Sequence, residues 1–151
     1  MNAQAYDKVL LHKAKVIERC VARARQEHGD AEGHFSTNFT RQDAAVLNLQ
    51  RACEAALDMA QRVISLQGWG IAETSKDFFA VLQRHHVIEA ALARTLINMV
   101  GFRNLAAHDY EELNYAIVES IITKDCTDLL LFSEQMVKTF FASTTSSQTS
   151  P

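Results

Sequence analysis

The sequence predicts an all-α fold, and three observations carry that prediction. The single proline is the last residue, glycines number only five, and apolar residues recur at helical spacing through most of the chain. A length of 151 residues suits one domain, and a hydrophobic share of 48% is enough for a real core. The architecture expected is an elongated antiparallel bundle of five or six helices.

The first helix is expected from about Ala5 to Gln26, with Val9, Val16, Ile17, Cys20, Val21 and Ala24 as its apolar stripe. Lys8, Lys15, Arg19 and Arg23 take much of the opposite side. The glycines and small polar residues of "GDAEGHFSTN" then make a loop. A second helix begins near Thr40, where Thr40 and Asp43 resemble a capping pair. It runs through Leu49, Cys53, Ala56, Leu57, Ala60, Val63 and Ile64 and stops at Gly68, a natural terminator. Ser75 is placed to cap a shorter third helix, "KDFFAVLQRH", with Asp77 favourable in its first turn. A fourth helix is expected from about Val87 to Val100, burying Ile88, Ala91, Leu92, Thr95, Leu96 and Met99. "EELNYAIVESII" is again helical. The apolar stripe loses phase at "TKDCTD", which marks a break or kink. Leu129, Phe132, Met136 and Phe140 form the last helix. Residues 142–151 have no apolar stripe and no charge, and a frayed or disordered tail is expected there.

The formal net charge of -3 argues against a generally basic nucleic-acid coat protein. It leaves RNA open as a substrate, because catalysis needs only a local positive patch. Cys20, Cys53 and Cys126 lie far apart in helical patterns and suit buried free thiols. The N-terminal stretch carries charges throughout and reads neither as a signal peptide nor as a membrane span, so a soluble cytoplasmic protein is expected.

One stretch does not fit a plain bundle: "GFRNLAAHDYEELN", residues 101–114. Arginine offers phosphate a permanent charge and a planar fork, and histidine moves a proton near neutral pH. The pair suits RNA cleavage without a metal, with His108 acting on the ribose 2′-OH or the leaving oxygen and Arg103 stabilising the phosphate charge. In a continuous helix, however, five positions separate their directions by roughly 140° and their heights by about 7.5 Å. Either the two do not cooperate or the helix turns between them, and Gly101 and Asn104 favour a turn. Two protonation roles exist while the stretch offers one clear histidine. A symmetric dimer would bring a second Arg103 and His108 into a shared cleft.

Arg103, four residues, His108, one residue, Tyr110 matches the R-x4-H-x-Y signature of HepT-type toxins, within the HEPN superfamily of helical nucleotide-binding and ribonuclease domains. "LINMVGFRNLAAHDY" resembles that family's longer motif, with Phe102 in place of the commoner Leu. The resemblance implies a HEPN helical domain over residues 1–141, acting as a homodimeric, metal-independent endoribonuclease toxin of a type VII toxin–antitoxin module, with no cofactor. It implies Arg103 and His108 as catalytic residues, supported by Asn104. The substrate would be tRNA or mRNA. The partner would be an MntA-type nucleotidyltransferase antitoxin that transfers AMP onto Tyr110. A bulky anionic adduct there would compete with RNA phosphate for Arg103. The alternative is a non-catalytic HEPN subunit that holds a nucleotide beside a nucleotidyltransferase.

Other polar residues have simpler uses. Arg84, His85 and His86 read as a helix end whose cations suit the C-terminal dipole, because adjacent histidines diverge by about 100° and seldom chelate one ion. His12, His28 and His34 are dispersed and expected on the surface. Trp69 is expected to close the bundle end, and Phe78 with Phe79 to enter the core or a partner interface.

Overall fold

The computed structural model describes the backbone of residues 4–70 and 72–149 and the side chains of residues 8–70 and 72–140. Leu10, Ala14, Ile17, Val21 and Ala24 are buried at helical spacing and form the inner face of α1 (Gln4–Asp30). That face lies along α2 (Phe39–Gln67), whose 29 residues span about 43 Å. The two run antiparallel. Lys13, early in α1, pairs with Asp58, late in α2, at 2.8 Å, while Arg41 at the start of α2 pairs with Glu27 near the end of α1 at 3.0 Å.

The connection between them is shorter than the sequence suggests. α1 runs through Gly29 to Asp30, and Phe35 folds back into the core on a 3-10 turn, Phe35–Thr37. Asn38, rather than Thr40, caps α2: its side-chain oxygen accepts the Arg41 N–H at 3.1 Å. Asn38→Ala is therefore expected to cost about 1 kcal/mol, seen as a fall of roughly 3 °C in Tm by circular dichroism. Asn38→Asp should hold the wild-type value. At the other end Gly68 takes a left-handed conformation (φ 69°, ψ 34°), and Trp69 N–H reaches back to the Ile64 carbonyl at 3.1 Å.

α3 (Ser75–Arg84) is capped one residue earlier than the sequence suggests. Thr74 is its cap, with backbone N–H and hydroxyl both donating to the Asp77 carboxylate at 3.1 Å. Ser75 is thereby left for other work. His85 closes the helix with its ring stacked on Trp69, centroids 4.0 Å apart.

α4 (Ala90–His108) begins later and ends eight residues later than expected. A 3-10 turn (Tyr110–Glu112) and α5 (Tyr115–Ser120) follow. At the predicted phase slip the chain neither breaks nor turns. It makes a π-helical turn, Ile121–Asp125, that feeds directly into α6 (Cys126–Thr149). One extra residue per turn resets the stripe, so that Val118, Ile122, Cys126, Leu129, Phe132 and Met136 all reach the core. The backbone of residues 142–149, expected as a frayed or disordered tail, continues α6, and the side chains from 141 onward lie outside the described residues.

The core is continuous through all six α-helices, and no strand occurs among the described residues. Phe79 enters it and Phe78 packs on its edge. All three cysteines are buried and unpaired. Burial pushes the Cys53 thiol up to about 12 and the Cys126 thiol to about 11, so both stay protonated at neutral pH. His28 is drawn in further than expected, bonding Glu119 at 2.6 Å beside the Phe35 ring. Among the described residues no helix is long and apolar enough to cross a membrane.

Candidate functional site

The expected turn between Arg103 and His108 is absent. Both residues lie in α4, which runs unbroken through Gly101 and Asn104. One glycine in a helix costs about 1 kcal/mol. Burying Met99, Val100, Phe102 and Ala106 around it outweighs that several-fold. Nothing crowds Gly101 either: a Cβ there would meet no atom within 4 Å. Asn104 is half-buried in the helix and caps nothing. Within one subunit, then, the guanidinium and the imidazole point away from each other, as five positions of a regular helix require.

Arg103 is held firmly. Nη1 pairs with Glu54 of α2 at 3.1 Å, Nη2 donates to Ser75 Oγ at 3.2 Å, and the side chain is 17% exposed. Nε–H is buried with no partner among the described residues. Two of the five guanidinium donors are thus committed and the head is fixed in orientation. Glu111 and Glu112, farther along the same stretch, are not its partners.

His108 is the last residue of α4 and is exposed. Its imidazole has no hydrogen-bond or ion-pair partner among the described residues. A sharp turn does come, one residue later. Asp109 leaves the helical region (φ -151°, ψ 50°) while its N–H still bonds the Leu105 carbonyl at 2.8 Å. This turn swings Tyr110 back toward the start of α2, where its hydroxyl donates to Asp43 Oδ1. Burial, that hydrogen bond and the nearby Tyr115 all push the Tyr110 phenol well above its ordinary value. Asp43 is therefore no cap of α2 but the partner of a residue 67 positions away.

Glu54, Ser75 and Asp43 were not identified as site residues from the sequence. Each meets the motif only through tertiary packing, and no local spacing announces it. A fourth feature was equally hidden. Arg19 and Arg23 of α1 and Arg51 of α2 line a cleft of about 380 Å³ with Lys13, Glu54 and Asp58. The two carboxylates are engaged by Arg103 and Lys13. None of the three arginines has a carboxylate within ion-pair distance among the described residues. A chain of net negative charge thus carries a concentrated positive surface beside Arg103. No cluster of metal-ligating side chains occurs among the described residues.

Comparison with known proteins gives a consistent result. The family model described as "Ribonuclease HepT-like" matches residues 13–136. The mRNA nuclease HepT of Shewanella oneidensis is 40% identical over 124 residues, covering 82% of this chain and 92% of that one. A tri-AMPylated Shewanella oneidensis HEPN toxin, solved in complex with MNT antitoxin, superposes with a TM-score of 0.81 at 38% identity, over 90% of this chain and 98% of that one. A toxin–antitoxin crystal structure with AMP-PNP has the same TM-score at 37% identity, over 85% of this chain and 97% of that one.

Proposed function

This chain belongs to the HepT-like ribonuclease family, and from that premise we propose that it cuts RNA as a homodimer, with Arg103 and His108 meeting across the subunit boundary. Its single HEPN domain, residues 1–141, carries the activity of a type VII toxin. The observation that carries the arrangement is the unbroken α4. One helix cannot aim both groups at one phosphate, but a two-fold axis beside it can set Arg103 of one copy opposite His108 of the other. Exposed Phe39 and Leu47 lie one turn either side of Asp43 on the same face of α2, so apolar surface is present next to the motif for a second copy to cover.

The chemistry follows from the residues. The ribose 2′-OH attacks the adjacent phosphorus. The O2′–P bond forms, the P–O5′ bond breaks, and a 2′,3′-cyclic phosphate and a 5′-OH remain. His108 side chains take the proton from the 2′-OH and return one to the leaving oxygen. Arg103, oriented by Glu54 and Ser75, offers the remaining N–H groups of its two terminal nitrogens to the charge that builds on the phosphate. Asn104 lies one residue from Arg103 on α4 and supports the phosphate from there. Arg19, Arg23 and Arg51 supply a track for the flanking phosphodiester backbone. The substrate is cellular RNA, mRNA or tRNA, and the site lies in the cytoplasm.

Control of the toxin falls to a nucleotidyltransferase antitoxin of the MntA type, which transfers AMP to Tyr110. What supports Tyr110 as the acceptor is its position two residues beyond His108 and its 38% exposure. An adenylyl group there brings negative charge into the space RNA phosphate would use.

The deciding experiment is incubation of purified protein with total RNA in the presence of chelator. The expected result is cleavage to fragments ending in 2′,3′-cyclic phosphate. Uncut RNA together with tight binding of ATP or AMP, or cleavage only with added divalent metal, would overturn the reading.

A further inference from the structure

Resting on the reading of Tyr110 as the AMP acceptor, we propose that Asp43 orients the Tyr110 hydroxyl for adenylyl transfer and accepts its proton. The two residues come from different parts of the chain. Asp43 is an exposed residue in the second turn of α2, and Tyr110 sits on the 3-10 turn after α4. The hydroxyl donates its one proton to Asp43 Oδ1. A phenol has one donor and two acceptor lone pairs. With the proton turned toward Asp43, the lone pairs face away from it, and the side chain remains accessible to a nucleotide.

The transfer can be written in full. Tyr110 Oη attacks the α-phosphorus of ATP. The Oη–Pα bond forms, the bond from Pα to the bridging oxygen of the β-phosphate breaks, and pyrophosphate leaves. The phenolic proton passes along the existing hydrogen bond to the Asp43 carboxylate. A base is needed because the phenol stays protonated at neutral pH, burial and the contacts with Asp43 and Tyr115 making it a weaker acid than an isolated tyrosine. Asp43 from α2 and Tyr115 from α5 are the titratable groups that face the hydroxyl.

The contact also disfavours return to the starting geometry. Once esterified, the oxygen has no proton to donate, and after Asp43 passes its proton to solvent the new phosphate and the carboxylate repel one another. The modified side chain is driven off α2 and is free to occupy the space beside His108.

A merely structural role, pinning the turn after α4, is separable by choice of variant. Asp43→Asn keeps an oxygen that can accept the Tyr110 hydroxyl bond but cannot take up the proton. The assay follows incorporation of labelled AMP from ATP by an MNT-type antitoxin, with the site located by peptide mass mapping. Wild type is expected to take AMP on Tyr110. Asp43→Asn should slow the initial rate about 100-fold at neutral pH, with a rate that climbs with pH more steeply than wild type as phenolate becomes available. Asp43→Glu should recover part of the loss. A thermal melt matching wild type excludes misfolding as the cause. Modification of Asp43→Asn at the wild-type rate, or a slower rate whose pH profile parallels wild type, overturns the role of Asp43 while leaving Tyr110 as acceptor. A wild-type chain that takes no AMP on Tyr110 overturns the acceptor assignment itself, and this role with it.

Discussion

His108→Ala is expected to lower RNA cleavage by about 10³-fold with almost no change in stability. The side chain is exposed at the end of α4 and bonds to nothing among the described residues, so its truncation should shift folding by no more than about 0.5 kcal/mol. Proton transfer by a positioned histidine is worth about 10² to 10⁴ in rate, and here the same residue type serves both proton steps. Arg103→Ala should be as inactive through loss of phosphate stabilisation, but less stable, because Glu54 and Ser75 lose their partner. The sharper test combines the two. Coexpressed Arg103→Ala and His108→Ala chains form some mixed dimers, and each mixed dimer holds one intact arginine and one intact histidine on opposite copies. The mixed dimer keeps one His108 and so one of the two proton steps, and partial cleavage, above that of either parent variant, should return in that fraction if the pair acts in trans. If mixed dimers form and cleave no faster than the two parent variants, the cross-subunit arrangement is wrong. Full cleavage by His108→Ala alone would remove the histidine from the mechanism.

The helices were legible in the sequence because their signal is local. Apolar periodicity located α1, α2 and α6, cap chemistry around Ser75 and Asp77 located α3 to within a residue, and Gly68 ended α2 as its backbone freedom allows. Errors came where two local signals competed. Thr40 and Asp43 resemble a cap, but Asn38 two residues earlier makes the bond. Gly101 suggested a stop, yet the apolar residues flanking it bind α4 into the core more strongly than one glycine weakens it. "TKDCTD" looked like a break because a π turn and a break both shift the stripe. The motif itself was readable as a string, through resemblance. Its surroundings were not. Ser75 meets Arg103 across 28 positions and Asp43 meets Tyr110 across 67. No periodicity extends that far. The arginine cleft was hidden for the same reason, since Arg51 joins Arg19 and Arg23 only when α1 and α2 lie side by side.

Phe132→Ala should be the most damaging single truncation in the core. Its ring is fully buried and meets Phe79 edge-on, centroids 5.5 Å apart and planes at 85°. Such truncations cost about 3 to 5 kcal/mol, partly from lost burial and partly from the cavity that remains. The edge-to-face pair places this site toward the upper end. Against a total stability of about 5 to 15 kcal/mol, that is a third or more of what holds the domain together. The expected readout is a fall of roughly 10 to 15 °C in Tm. Phe132→Leu fills most of the volume and should lose far less. The consequence for function runs along α3. Phe79 anchors that helix, and Ser75 at its start holds the Arg103 guanidinium. Loosening the anchor should therefore lower cleavage even below the new Tm, by relaxing the arginine, while Phe132→Leu keeps near-normal activity. If Phe132→Ala cut RNA at the wild-type rate below its own Tm, the α3–α6 contact could not be what fixes Arg103, and its orientation would rest on the Glu54 and Ser75 bonds without help from the core beneath α3.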